Sequence, residues 1–362
     1  MRRPLAFAAA ALFLTACEQT LHLYQPGVDA GATGGLGGRG GAAGTFVFGT
    51  GGMGGGFGGS GGDQRCQGST QPVQYTPDVP KMLVVLDRST AMVSQNLGMY
   101  SQLVTALNAL STLIYDYPST GPNKSSDRPT IQFSYMDFPD SDPSNCQSQM
   151  ACCASSVQSD FSHFSAGVMN CTSPSSNCTT SASHPISIAL STAKTALDAA
   201  PSSTSSPRWA VLIADGSPSG TCVPLPSNDC IDAEGVAAKL VGDDIKLSVV
   251  GIGDQTTVGA CLSNLATPAG NAGRYYPATS DNDLYGALQQ IASAAVCNVT
   301  LTNPPPPSVT LQVNVGFTNY QQNDPNGWSY DPTSARLHLH GTMCDQYSMY
   351  GNLSVSAGCN SR

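Results

Sequence analysis

The sequence predicts an α/β fold: a doubly wound, mostly parallel, Rossmann-like sheet flanked by helices, followed by a small antiparallel β extension. Short and almost wholly apolar runs are typical of strands buried on both faces, and amphipathic stretches of helical period lie between them. After residue 297 the pattern changes to period-two alternation, which is typical of antiparallel strands with one solvent-facing side. Strands that alternate with helices favour a parallel sheet.

Five runs are predicted as strands of the parallel sheet, and each is bounded by polar or turn-forming residues. In chain order they are 82–87, 130–138, 208–216, 245–253 and 274–278. Four stretches with apolar residues at helical spacing are predicted as helices: 101–117, 186–200, 232–243 and 281–296. Asp281 or Asn282 is the expected N-cap of the last helix.

The amino terminus is typical of an exported protein. Residues 1–16 contain a basic start and a short apolar core that lead to LTAC, ending at Cys17. This pattern predicts a signal peptide and is too short for a membrane-spanning helix. LTAC is similar to the lipobox of bacterial lipoproteins, and that resemblance implies that Cys17 is lipidated and begins the mature chain. An ordinary signal peptide with an incidental Cys is the alternative.

Residues 17–80 are predicted to be a tether between Cys17 and the folded part. Its segment 27–62 is dominated by glycine and cannot bury enough apolar surface to offset the entropy of ordering. The mature protein is therefore expected to be exported and anchored to a bacterial envelope membrane by its lipid, with the outer membrane favoured.

Cysteine and charge content restrict the class of protein further. The chain has 13 cysteines, and an exported chain that is rich in cysteine is expected to form disulfides. The net charge is −9 and no Lys/Arg cluster is present, which argues against a nucleic-acid partner. A Cys-rich insertion at 139–185 is expected to be tied by disulfides, because its spacings match no zinc motif. Cys222 is expected to pair locally with Cys230.

The chain after 297 is expected to be a separate small unit. Four consecutive prolines, 304–307, stop any helix, and the runs 309–317 and 334–341 alternate apolar and polar residues. We therefore expect residues 298–362 to form an antiparallel β extension tied by Cys344 and Cys359.

Polar residues follow two of the predicted strands directly. Asp87 and Ser89 end the run MLVVLDRS, and Asp215 ends LIAD. Because the carboxyl ends of parallel strands meet at one edge, where open α/β sheets bind their ligands, we expect these side chains to lie close together.

Residues 81–297 resemble a von Willebrand factor type A (vWA) domain. The segments that carry the resemblance are LVVLDRSTAM, WAVLIADGSP, LSVVGIGD and AGRYYPATSDNDLYGALQQIA. The lipoprotein signal, the glycine tether and the Cys-rich insertion are similar to those of bacterial surface members of that family.

The resemblance implies a metal-ion-dependent adhesion site (MIDAS), which uses a D-x-S-x-S motif, a Thr from a second loop and an Asp from a third. Asp87, Ser89 and Asp215 match that pattern. Ala91 stands at the second Ser, and His184 stands at the Thr. Two hydroxyl ligands are therefore missing, and only weak binding of Mg²⁺, Mn²⁺ or Ca²⁺ is implied, with Ser183 and Thr90 as further rim residues.

Three other interpretations of these residues remain open. The side chains of Asp87, Ser89 and Asp215 could simply cap loop and helix-end N–H groups. A transition metal could bind His184 together with the aspartates. Ser89 and His184 could also form part of a hydrolase site.

The predicted function is that of a non-enzymatic envelope lipoprotein whose vWA-like domain binds a protein or glycan, with doubtful metal dependence. The alternative is a structural component of the envelope that binds no ligand through an ion. A hydrolase is the third class of protein considered.

Overall fold

The computed structural model describes residues 71–118, 129–139, 154–169, 184–199, 206–216, 229–253, 255–268, 273–305 and 309–358. The predicted signal peptide, Cys17, the glycine-rich part of the tether and most of the Cys-rich insertion lie outside these ranges. Ser183, Cys222 and Cys359 lie outside them as well.

Five parallel strands form the central sheet, which confirms the predicted fold class. In spatial order they are β6 (Gln132–Phe138), β3 (Lys81–Asp87), β7 (Arg208–Ala214), β8 (Ile245–Ile252) and β9 (Tyr275–Ala278). Asp87 pairs in register with Phe138, and Leu86 pairs with Ile213. The residues that follow β3 and β7 therefore emerge side by side.

Helices cover both faces of this sheet. In chain order the described helices are α1 (Thr90–Ser94), α2 (Gln102–Asp116), α3 (Phe161–Met169), α4 (Ile186–Ala199), α5 (Asp229–Gly242), α6 (Gln255–Leu265), α7 (Asp281–Val296) and α8 (Gly341–Tyr350). A short hairpin of β4 (Asn96–Leu97) and β5 (Tyr100–Ser101) joins α1 to α2.

The side chains of β3 show why its sequence is apolar throughout. Met82, Val84 and Leu86 pack into a core with α2 and α7, whereas Leu83 and Val85 pack into a second core with α4 and α5. Because successive side chains of a strand point to opposite faces, a strand that is covered on both sides needs apolar residues at every position.

The cap of α7 differs from the prediction. Ser280, rather than Asp281 or Asn282, is the N-cap: its backbone is extended and its Oγ accepts the N–H of Asp283 at 3.1 Å. Asp281 and Asp283 lie in the first helical turn, where a negative charge interacts favourably with the helix dipole.

Two four-stranded antiparallel sheets form the β extension. One has the order β1 (Gln71–Pro72), β15 (Leu353–Gly358), β11 (Thr310–Val315) and β12 (Thr318–Tyr320). The other has the order β13 (Trp328–Asp331), β14 (Arg336–Leu339), β10 (Asn298–Leu301) and β2 (Tyr75–Pro77).

The amino-terminal strands β1 and β2 change one predicted boundary. Residues 71–77 were expected to belong to the tether, yet they pair with β15 and β10. The β extension is thus built from chain on both sides of the α/β domain. Its apolar residues belong to the same core cluster as α2 and α7, including Val299, Leu337 and Val355.

The two described disulfides correct the predicted pairings. Cys230 bonds to Cys261 in α6 rather than to Cys222, so this bridge joins α5 to α6. Cys344 bonds to Cys297 rather than to Cys359, so this bridge joins the end of α7 to α8. Both bridges connect neighbouring helices instead of closing a loop within one predicted segment.

Among the described residues, we find no helix with the length and apolar character that crossing a bilayer requires.

Candidate functional site

Three titratable side chains from separate parts of the chain meet at the carboxyl edge of the sheet. Asp87 is the last residue of β3, Asp215 directly follows β7, and His184 precedes α4. One ligand-type atom from each of the three lies within 4.8 Å of the others. The predicted convergence of Asp87 with Asp215 is thus present, and His184 lies between them.

The imidazole of His184 faces both carboxylates. Its Nδ1 donates to Asp87 Oδ2 at 2.7 Å and lies 3.8 Å from Asp215 Oδ1. The side chains of Asp87 and Asp215 are 0% and 1% exposed, and that of His184 is 11% exposed. Asp215 Oδ2 is buried and has no hydrogen-bond partner in the described part of the chain.

Ser89 joins the cluster through hydrogen bonds of the capping kind. Its Oγ donates to Asp215 Oδ1 at 3.2 Å and accepts the N–H of Met92 as the N-cap of α1. Its own N–H donates to Asp87 Oδ1 at 2.8 Å. The carboxylate of Asp87 and the hydroxyl of Ser89 therefore both satisfy backbone donors, as the capping interpretation of these residues describes.

Burial and neighbouring charge shift the pKa values of the cluster. Burial raises the pKa of Asp215 to about 6, and the Asp87 carboxylate adds to that effect against the opposing influence of His184 and Ser89. Burial alone would lower the pKa of His184, but the hydrogen bond and charge of Asp87, together with Asp215, raise it above its ordinary value. The cluster therefore favours a protonated, positively charged imidazole.

Gly216 makes room for the imidazole. A Cβ at this position would overlap the ring of His184, lying 2.5 Å from Nε2. Side chains do not tolerate such a close approach. The ring of His184 can therefore occupy its observed position only because residue 216 is a glycine.

A buried ion pair beside the cluster was not predicted from the sequence. Arg88 Nε lies 2.6 Å from Asp137 Oδ2, and its Nη2 donates to the carbonyl of Pro139. The Arg88 side chain is 0% exposed. This pair ties the ends of β3 and β6 together. The sequence offered one signal for it, because Asp137 is a charged residue within the apolar end of β6.

Of the other predicted rim residues, Thr90 is described. It is exposed in the first turn of α1, whereas its neighbour Ser89 is buried. Thr90 therefore lies outside the buried cluster.

The donor set does not fit Mg²⁺. That ion prefers an octahedron of oxygens, yet an imidazole stands at the position of one expected hydroxyl and Ala91 at another. The remaining hydroxyl, of Ser89, is engaged with Asp215 and Met92. One imidazole with two carboxylates is a set that Zn²⁺ accepts more readily, but the Nδ1 of His184 donates to Asp87 and would have to lose its proton before it could bind a metal.

The hydrogen bonds of Ser89 also differ from those of the catalytic serine in a serine hydrolase. In such sites the hydroxyl is hydrogen-bonded to the imidazole that takes its proton. Here the Oγ of Ser89 donates to the carboxylate of Asp215 instead of to the imidazole of His184.

Solved structures similar to this chain include vWA-domain proteins, the class suggested by the sequence resemblance. The SpRpn10 VWA domain is 11% identical and covers 59% of this chain and 95% of its own, with a TM-score of 0.38. No protein-family model and no curated protein matches the sequence.

Two further similar structures are larger proteins. Proximal thread matrix protein 1 from the mussel byssus, with a zinc-occupied MIDAS motif, is 15% identical, with 59% of this chain and 45% of that chain covered and a TM-score of 0.40. The pilus adhesin SpaC from Lactobacillus rhamnosus GG is 11% identical, with 79% and 40% covered and a TM-score of 0.47. The chain thus spans less than half the length of either protein.

Proposed function

We propose that this protein is a non-enzymatic binding protein of a bacterial cell envelope, held by a lipid on Cys17. Its ligand, a protein or a glycan, binds the loops at the carboxyl edge of the parallel sheet. The supporting observation is the convergence of Asp87, His184 and Asp215 at that edge, where open α/β sheets present their ligand sites.

In this proposal, His184 supplies the positive charge that a divalent cation would supply in a MIDAS. Two carboxylates buried within one cluster require a counter-charge, because a buried ion without a partner is costly. The imidazolium lies within 2.7 Å of Asp87 and 3.8 Å of Asp215 and has room only because residue 216 is glycine. Ligand binding then does not depend on Mg²⁺.

A binding experiment with native envelope extract tests this function. The full chain, immobilised, should capture the same ligand with and without a chelator, because no ion completes the site. Asp215→Ala should lose that ligand, whereas Asp283→Asn, an exposed change in α7, should retain it. A captured set that is identical for all three chains would contradict the proposed site and favour a purely structural envelope component.

Labelling of serine tests the enzymatic alternative on the same chain. A fluorophosphonate probe reacts with a serine activated by a base. We expect no modification of Ser89, whose Oγ is hydrogen-bonded to a carboxylate. Stoichiometric labelling of Ser89 that disappears in His184→Gln would overturn the non-enzymatic assignment.

A further inference from the structure

A groove lies between α2, α7 and α8, and neither Asp87, His184 nor Asp215 lines it. It encloses about 690 Å³ and is lined on three sides by residues of these helices, with Tyr117 at the end of α2. A second cavity of about 310 Å³ lies between the β4–β5 hairpin, α2 and the start of α7. Tyr285 lines both cavities, so they lie next to each other along α2 and α7, and we refer to them together as the trough.

The lining of the trough combines aromatic rings with uncharged polar groups. Tyr285 and Tyr350 offer ring surface, and Tyr350 is 57% exposed. Gln289 and Gln290 add side-chain amides, each of which can donate and accept hydrogen bonds. None of the described residues that line either cavity is Lys, Arg or His, whereas Asp116, Asp281 and Asp345 are acidic.

A hydrogen-bond network holds part of the lining in place. Tyr285 Oη donates to Asp116 Oδ2 at 2.7 Å and accepts Nε2 of Gln289 at 2.6 Å. Asp116 is the last residue of α2, where a carboxylate opposes the helix dipole and no basic residue offsets it in the last turn. The hydrogen bond from Tyr285 holds this carboxylate in the lining of the groove.

The far end of the trough is also fixed. The Cys297–Cys344 disulfide joins α7 to α8, and the hydroxyls of Ser293 and Ser348 lie 3.0 Å apart across the same two helices. A site whose walls are already ordered loses little conformational entropy when a ligand binds.

We propose that this trough binds a neutral oligosaccharide. Sugar rings present apolar C–H faces that pack on tyrosine rings, and their hydroxyls both donate and accept hydrogen bonds, as the amides and carboxylates of the trough require. The three aspartates repel an anionic glycan, and two neighbouring cavities of about 690 and 310 Å³ offer room for more than one sugar ring. The trough shares no lining residue with the cluster of Asp87, His184 and Asp215.

Saturation-transfer NMR on the full chain tests this site with chitohexaose, cellohexaose and maltohexaose as probes. We expect at least one of them to bind with a Kd at or below about 1 mM. Tyr350→Ala should weaken that binding about tenfold or more, and Gln290→Ala should weaken it measurably, because both residues line the groove. Both side chains are exposed, so neither change should prevent folding.

Matched variants distinguish the trough from other surfaces. Tyr115→Ala removes a 67% exposed tyrosine of α2 that lines neither cavity, and it should leave binding within about twofold. Binding of none of the three sugars, binding unaffected by Tyr350→Ala, or binding lost in Tyr115→Ala would each overturn the proposal. If a hexalysine peptide bound while none of the sugars did, and if Tyr350→Ala abolished that binding, the proposal would be overturned in favour of a cationic partner.

Discussion

The two oxygens of the Asp87 carboxylate have different partners. One oxygen accepts the backbone N–H of Ser89, and the other accepts Nδ1 of His184. The first bond fixes the loop after β3, and the second places a proton donor between two buried acids. Asp87 therefore links the shape of the loop to the charge of the cluster.

The pH dependence of stability follows from this pair. The folded-state pKa of His184 is raised, so the folded protein binds the proton more tightly than the unfolded chain does. The stability that the pair contributes is fully present below pH 6.5 and is lost as the pH rises through the folded-state pKa. Asp215 changes the stability in the same direction but over a lower pH range. Because its pKa is raised from 3.8 to about 6, its contribution to stability is lost as the pH rises between these two values.

We expect the difference in unfolding free energy between wild type and His184→Gln to be largest near pH 5 and to shrink as the pH rises above 6.5. Urea unfolding at several pH values measures this difference. His163→Gln is the matched control, because its imidazole is 82% exposed and far less constrained. A difference that grows toward alkaline pH would show that His184 is held as the neutral form.

Gly216 provides a second test at the residue scale. In Gly216→Ala, the new methyl group and the ring of His184 would occupy the same space, so the imidazole must leave Asp87. We expect a loss of about 1–3 kcal/mol in unfolding free energy and a lower His184 pKa by NMR. Gly235→Ala in α5 meets nothing within 4 Å and should be neutral or slightly stabilising. Equal effects of the two changes would refute the proposed contact.

At the scale of elements, the site depends on how β3 and β6 are joined. Their parallel register pairs Asp137 with Leu86, and the side chain of Arg88 reaches Asp137 to close this end of the sheet. A buried ion pair adds little net stability over apolar residues, but removal of one partner leaves the other charge buried and uncompensated.

Asp137→Ala is therefore expected to destabilise the fold by about 3–5 kcal/mol, measured by urea unfolding. The exposed pair of Lys246 with Asp244 is the comparison, and Lys246→Ala should leave stability nearly unchanged. If Asp137→Ala lowered the free energy of unfolding as little as Lys246→Ala, the expectation would be contradicted. Arg88 would then have found water or another acceptor in place of Asp137.

At the scale of the whole molecule, the α/β domain and the β extension share a core. Residues of β10, β11, β14 and β15 belong to the same apolar cluster as α2 and α7. The strands β1 and β2 complete the two antiparallel sheets from the other end of the chain, and Tyr75 Oη donates to the carbonyl of Leu353 at 2.7 Å.

A pair of truncations tests this architecture. Deletion of residues 1–70 should leave the unfolding free energy of the remainder unchanged, whereas deletion of residues 1–80 should lower it by several kcal/mol, because it removes β1 and β2 and the Tyr75 side chain. Thermal unfolding of the two fragments makes the comparison. Equal midpoints would mean that residues 71–80 behave as tether, as first expected.

The parallel sheet could be predicted from the sequence because its strands are buried on both faces and therefore apolar throughout. The same strands placed Asp87 and Asp215 at one edge. Helix α8 was missed, since its sequence GTMCDQYSMY has no clear apolar stripe and it is held by the Cys297–Cys344 bridge and the burial of Tyr347. The strands β1 and β2 were missed because they are short, contain proline and pair with residues more than 200 positions away.

The candidate site was predictable only in part, because some of its contacts also join residues that are far apart in the chain. Local sequence marks Asp87, Ser89 and Asp215 as strand-end residues. The contact of His184 with Asp87 and the pairing of Arg88 with Asp137 depend on tertiary placement and register, which no local pattern encodes.

Titration calorimetry of the full chain with Mg²⁺ and with Zn²⁺ tests most directly the proposal that His184 takes the place of a divalent cation. We expect no saturable binding of either ion by the wild-type chain up to about 1 mM, and a gain of Mg²⁺ binding in His184→Thr, which restores a hydroxyl between the two aspartates. Saturable binding of Mg²⁺ or Zn²⁺ by the wild-type chain that disappears in Asp87→Ala would contradict the proposal.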